Sequence, residues 1–314
     1  MDIKVKDIVE QCNGKLIFGD EETVCNDFSR DTRTIKKGDV YVGIKGDNFD
    51  GSSFFEQALE NGAKVCILQG IEVSERIKEQ YADRCIVIVD DTIKALQQIA
   101  AYKRSLYDIP VIAITGSVGK TSTKDIVASV VGTSYNMIKT EGNLNNHIGL
   151  PLTILRLKNH DALVVEMGMS NLGEISTLSK IAKPTIAIIT NVGTAHIGNL
   201  GSRENILKAK LEIIDGLKDG GTLIINNDND MLNKWYSSYN GNMKVFTYGI
   251  NNSSEISAEQ IDIKENSSSF VIKCADENCG YNNSKVDVPI GGEHFVYNSL
   301  CAVSVGKNLR NKYR

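Results

Sequence analysis

No stretch of this chain approaches the roughly 20 consecutive apolar residues that a membrane-spanning helix needs, and its opening, MDIKVKDIVE, carries charges where a secretory signal requires an apolar core. These two absences lead us to expect a cytoplasmic protein with no membrane insertion. A basic excess is also missing. The net charge is −4 and the pI near 5.7, which leaves no electrostatic footprint for nucleic acid. The cysteines lack a framework: seven of them, at 12, 25, 66, 85, 274, 279 and 301, are an odd number without regular spacing. Cys66 and Cys85 sit inside apolar runs (KVCIL, RCIVIV), and reduced thiols are expected. Cys274 and Cys279 have no second pair at ligand spacing, which argues against a zinc site. There is no internal repeat.

What is present is the patterning of an α/β protein. At 314 residues and 41% hydrophobic, the chain is long enough for about two domains with cores of their own. Residues 1–108 alternate short apolar strands (DVYVGI, KVCIL, CIVIVD) with helical patterns (SSFFEQALENGA, TIKALQQIAAYKRSL), a small α/β unit. YDIP, ending at Pro110, reads as a linker, because proline disfavours helix in the residue before it. From 109 onward, strands VIAIT, ALVVEMG, TIAIIT and GTLIINN alternate with helices, including LGEISTLSKIA and ENILKAKLEIIDGL. That pattern predicts a mostly parallel sheet covered on both faces. From about 243 to 290, VFTYG, SFVIKC and KVDVPI between Asn-, Ser- and Gly-rich turns predict an antiparallel appendage, with NNSSE and ENSSS as hairpin turns.

The strongest chemical signal is TGSVGKTST, residues 115–123, which lies between the apolar VIAI and the amphipathic KDIVASVV. Glycines at 116 and 119 let the backbone turn tightly and bring bare N–H groups up to an anion, and the helix start beyond adds unpaired donors. Gly116, Ser117, Val118 and Gly119 would thus wrap a phosphate. Lys120 would supply a point charge and Thr121 a hydroxyl for magnesium. The common phosphate loop has a glycine five positions before the Gly-Lys pair, where this chain has Ile114, so this is the shorter GxxGKT form. A glycine-rich turn without a ligand is the competing reading, and the strand-loop-helix context disfavours it.

Ligands of an open α/β sheet gather at the carboxyl ends of its strands. Glu166 ends ALVV, and His196 lies in the loop NVGTAHIGNLGS. Alone, they read as a solvated strand-end charge and a loop histidine. Beside a phosphate loop they become candidate metal-site residues, because a triphosphate brings magnesium. Lys208 and Lys210 in ENILKAKLEII read from spacing alone as a solvated helix face.

The runs ITGSVGKTSTKDIVA, TEGNLNNHIGLPLTIL, VVEMGMSNLGEISTLSKIAKP and ITNVGTAHIGNLGSRENILKAKLEII, in that order, resemble the central domain of the Mur ligases. SRDTRTIKKGDVYVGIKGDNFDGSSFFEQALENGAKV is similar to the UDP-sugar-binding domain of the same family. The resemblance covers nearly the whole chain and is strongest to the branch that adds D-alanyl-D-alanine to UDP-N-acetylmuramoyl-tripeptide. It implies an ATP- and magnesium-dependent, monomeric ligase of peptidoglycan precursor synthesis. Residues 1–108 would bind the UDP-sugar peptide and 109–314 ATP. Two departures stand out. The usual Asp-Ser-Arg is Asp31-Thr32-Arg33, which keeps a hydroxyl, and the usual His-Asn pair is His294-Phe295, so that Asn298 would take over an adenine contact.

The resemblance also implies roles. Asp31, Thr32, Arg33, Asn143, Asn145 and Asn146 would contact substrate. Lys120, Glu166, His196 and Lys210 would be catalytic, with Thr121, Glu166, His196 and Lys210 at the metals, Lys210 after carbamylation. A third domain that receives the incoming amine is expected in the family and is not found among these 314 residues, so little turnover is expected of them alone. The alternatives are a nucleotide-binding module without turnover and an unrelated phosphate-loop kinase. The ordered motifs GNLNNHIGLP and TAHI speak against the kinase.

Overall fold

The computed structural model describes residues 2–46, 49–277 and 279–312. Its first elements are α1 (Val5–Cys12), β1 (Lys15–Phe18), β2 (Phe28–Ser29), β3 (Val40–Val42), β4 (Lys45–Gly46), β5 (Phe49–Asp50), α2 (Phe55–Glu60), β6 (Val65–Leu68), α3 (Glu75–Gln80), β7 (Cys85–Ile88) and α4 (Thr92–Ser105). Then come β8 (Val111–Thr115), α5 (Lys120–Val131), β9 (Met137–Lys139), α6 (Gly149–Leu155), β10 (Ala162–Glu166), α7 (Glu174–Ala182), β11 (Ile186–Ile189), α8 (Ile197–Leu200) and α9 (Arg203–Leu211). The last are β12 (Thr222–Asn226), α10 (Asp230–Ser238), β13 (Lys244–Gly249), β14 (Ile256–Ile263), β15 (Ser268–Cys274), β16 (Lys285–Val288) and α11 (Glu293–Lys312).

The chain forms two compact units, one of residues 1–108 with 147–158, the other of 109–146 with 159–314. In the first, a five-stranded sheet has the order β1-β7-β6-β3-β2, parallel except for β1 against β7. β6 and most of β7 are buried, which their uninterrupted apolar sequences require. Asp91 starts α4 by accepting from the N–H groups of Ile93 (2.9 Å) and Lys94 (3.0 Å). Against α4 packs α6, whose Pro151 sits in the first turn, where its missing N–H costs nothing.

The second unit is built on a nine-stranded sheet, β16-β15-β14-β13-β12-β11-β8-β10-β9. β9 to β14 are parallel neighbours, and β14, β15 and β16 are antiparallel. Val127 and Val131 of α5, with Val296, Leu300 and Val305 of α11, share a core with sheet residues such as Ile112, Ile114, Val164 and Ile188. α7 packs against a 3₁₀ turn at 212–216, where Ser179 Oγ donates to the Ile213 carbonyl at 2.5 Å.

The structure corrects three expectations. VFTYG is not part of an antiparallel appendage: as β13 it is parallel to β12, because α10, unforeseen in the sequence, makes the crossover. β14 was also unforeseen, and NNSSE joins it to its parallel neighbour β13, so only ENSSS lies at a hairpin. Finally, Cys274 and Cys279 are paired in a disulfide, while the other five cysteines are free thiols.

Candidate functional site

β8 lies inside the sheet between β10 and β11, so the loop leaving its carboxyl end is flanked by the loops after both neighbours. That loop, residues 116–119, is tightly braced. Gly116 is packed against the Thr190 hydroxyl so closely that a Cβ would collide with it. Gly119, at φ +76°, occupies the left-handed region at the entrance to α5. No side chain caps α5, so the N–H groups of its first turn are left for a ligand or water.

Lys120 bends its ammonium back onto the loop, donating to the Gly116 carbonyl at 2.9 Å. Burial holds its pKa below the ordinary lysine value, partly offset by the Glu166 carboxylate. The Thr121 hydroxyl donates to Glu166 Oε2 at 2.9 Å, and the Asn145 amide donates to Oε1 at 2.7 Å. Glu166 is 2% exposed, and its own N–H donates to the Thr140 hydroxyl at 3.0 Å. A buried carboxylate held by two neutral donors beside a phosphate-type loop is a hard oxygen ligand set of the kind magnesium takes.

Lys210 is not on a solvated helix face. It is 1% exposed, whereas Lys208 is exposed, and burial together with the Lys120 charge pushes its pKa down to about 7. His196, left-handed at φ 66°, precedes α8 in the exposed loop after β11. Glu166 and His196 therefore follow strands on either side of β8, not opposite edges of the sheet. Among the described residues, no three His, Cys, Asp or Glu side chains are clustered to hold a metal.

Asn298 is buried, with its Oδ1 2.9 Å from the Thr123 hydroxyl, which also lies 2.8 Å from the Gly119 carbonyl. Its amide oxygen thus ties α11 to α5. Of the three asparagines in GNLNNHIGLP, Asn145 holds Glu166, while Asn143 and Asn146 are exposed.

The other predicted residues lie in the first unit. Asp31 caps a short 3₁₀ turn at 32–34 and grips Arg33 with both oxygens (2.9 and 2.7 Å), which brings its pKa down to about 2. The Thr32 hydroxyl donates to Gln57 at 3.1 Å. These residues line a cleft of about 640 Å³, together with Tyr41 and the stacked pair Phe49 and Phe54, whose ring centroids are 5.0 Å apart. Half-exposed stacked rings beside a guanidinium suit a planar base and an anion. Sequence reasoning missed Phe49, Phe54, Thr140 and Asn191. The only signal for Asn191 was a side-chain amide placed directly after a strand beside the loop.

Residues 114–306 match the Mur ligase middle domain, and 29–104 match the Mur ligase family catalytic domain. The chain belongs to the Mur ligase family. Within the family, it is 41% identical over 305 residues to UDP-N-acetylmuramoyl-tripeptide--D-alanyl-D-alanine ligase of Bacillus subtilis (strain 168), covering 96% of this chain and 63% of that one. The enzyme of the same name from Synechocystis sp. is 37% identical, with 97% and 63% covered. The crystal structure of MurF from Acinetobacter baumannii superposes with a TM-score of 0.86 at 30% identity, covering 99% of this chain and 66% of that one. For MurF ligase from Thermotoga maritima in complex with ADP, the TM-score is 0.76 at 30% identity, with 91% and 63% covered. This Mur ligase chain thus spans about 63% of the length of the curated relatives it matches.

Proposed function

We propose that the protein to which these residues belong is an ATP-dependent ligase that joins D-alanyl-D-alanine to UDP-N-acetylmuramoyl-tripeptide. The observation that carries the reading is Thr121 of the GxxGKT loop bonded to the buried Glu166, in a chain 41% identical to an enzyme of that name. Residues 1–108 form the part that holds the UDP-sugar peptide, in the cleft around Asp31, Thr32 and Arg33. Residues 109–314 hold ATP at the loop of Gly116, Ser117, Val118, Gly119, Lys120 and Thr121, with its phosphates on the N–H groups from Gly119 onward, since those of Ser117 and Val118 already donate to Asn191. The reading implies a monomer acting in the cytoplasm.

A carboxylate does not accept an amine, because oxide is too poor a leaving group. The tripeptide carboxylate therefore attacks the γ-phosphorus of ATP and the bond to the ADP oxygen breaks, leaving an acyl phosphate. The D-alanyl-D-alanine amine next adds to the acyl carbon, phosphate leaves with the bonding pair, and the amine gives up a proton. Lys120 offsets the repulsion of anion by anion and follows the charge as it moves to the leaving oxygen. Thr121 and Glu166 would hold magnesium, which would further neutralise phosphate charge. Glu166 is kept in place by Asn145 and Thr140. Lys210 is buried, and a neutral amine is the form that adds carbon dioxide. We assign it a carbamate, which together with His196 would hold a second metal, to be checked by density beyond Nζ in crystals grown at or above neutral pH.

The test is product analysis on the full-length gene product with ATP, magnesium, UDP-N-acetylmuramoyl-tripeptide and D-alanyl-D-alanine. Pentapeptide, ADP and phosphate are expected in equal amounts. Nucleotide binding without pentapeptide would overturn the ligase assignment in favour of a binding module.

A further inference from the structure

We infer that Asn191 is a positioning residue that braces the phosphate loop from the side and decides which of its N–H groups remain for the nucleotide. The inference rests on the reading of residues 116–121 as a phosphate loop. Asn191 Oδ1 accepts from two consecutive loop amides, Ser117 N–H at 3.0 Å and Val118 N–H at 3.1 Å, while its Nδ2 donates to the Val118 carbonyl at 2.9 Å. The backbone carbonyl of Asn191 also accepts from Ser117 N–H at 3.1 Å. Two neighbours add to the brace: the Gly193 N–H donates to Ser117 Oγ at 2.9 Å, and the Thr190 hydroxyl donates to the Val118 carbonyl at 3.2 Å.

One carboxamide thus presents an acceptor to two donors and a donor to one acceptor, a pattern that only Asn supplies at that reach. Aspartate keeps the acceptors but loses the donor, and it adds a negative charge beside the phosphates. The occupied donors are the first two after Gly116, so phosphate binding falls to the N–H groups from Gly119 into the first turn of α5, around Lys120. Asn191 also follows β11, as His196 does five residues later, so the brace joins the loop bearing the histidine to the loop bearing the lysine.

Three proteins are compared: wild type, Asn191→Ala and Asn191→Asp. Amide exchange at Ser117 and Val118 is followed by NMR, together with the affinities for magnesium-ATP and for AMP and the unfolding midpoint. Asn191→Ala is expected to speed exchange at Val118 and to lower ATP affinity about tenfold or more with a smaller change for AMP. Asn191→Asp is expected to keep the two amides protected and still bind ATP more weakly than wild type, through charge. Rapid exchange in both variants with equal losses for ATP and AMP would mark general loop damage and overturn the inference. So would an Asn191→Ala protein with wild-type exchange and affinity. If wild type itself binds no nucleotide, the phosphate-loop reading falls and this inference falls with it. If wild type binds and Asn191→Ala matches it, this inference alone falls.

Discussion

In the unfolded chain, Lys210 carries an ordinary ammonium group with a pKa near 10.5, and folding moves it to a buried position beside another cation, where the value is about 7. The charged form is therefore disfavoured in the native state. Its cost is full below about pH 7, shrinks as pH rises, and vanishes above the unfolded value of 10.5. Lys210→Met should raise the unfolding free energy read from urea denaturation at pH 7 in carbon-dioxide-free buffer, by about a few kcal/mol at most, since one pKa unit is worth about 1.4 kcal/mol. The advantage should narrow at pH 9.5, and a variant less stable than wild type at pH 7 would contradict it. Lys120→Ala should lower phosphoryl transfer by at least about 100-fold. Unchanged phosphoryl transfer in that variant, with ATP binding also unchanged by titration, would remove the loop from the mechanism.

At the scale of elements, the β13–β14 connection depends on one carboxylate. Asp228 accepts from the N–H groups of Ile250 (2.5 Å), Asn251 (2.9 Å) and Asn252 (2.7 Å), and from the Tyr297 hydroxyl of α11 (2.8 Å). Partial burial would raise its pKa, but the three backbone donors outweigh that and leave it below the ordinary value of 3.8. A lowered carboxylate contributes stability that is present above the unfolded value and is lost as pH falls through the folded one. Protection of the 250–252 amides should therefore fade only below about pH 4. Asp228→Ala should destabilise the protein by about 1–3 kcal/mol at neutral pH, read from urea denaturation. Protected 250–252 amides in that variant would show that the turn holds without Asp228.

At the scale of the molecule, the first compact unit is assembled from two stretches of chain, and α6 packs on α4 from 44 residues beyond its end (105 to 149). Leu150, Ile154 and Leu155 of α6 are buried. A fragment ending at 108 therefore exposes the face of α4 that α6 covers. It should unfold at lower urea than a fragment in which a short glycine-serine linker joins 108 to 147–158, with a gap of a few kcal/mol from that apolar area. Equal midpoints would show that α6 adds nothing to the unit.

The short-range features of this chain were decided by its sequence. Apolar runs such as VIAI and ALVV dictate strands, because a strand covered on both faces needs no polar alternation. A GxxGKT turn between strand and helix dictates a tight loop at the helix entrance, because only glycine tolerates the close approach at Gly116 and the positive φ at Gly119. The ordered motifs also made the family legible. What needed the tertiary structure was everything set by partners distant in sequence. Lys208 and Lys210 are indistinguishable by spacing, and only the packing of α9 exposes one and buries the other. Asn145 is one polar residue among several in GNLNNHIGLP until β10 brings Glu166 to it. VFTYG alternates like an antiparallel strand, but its direction was set by the crossover through α10, since strand direction depends on the connection and not on the side chains within the strand.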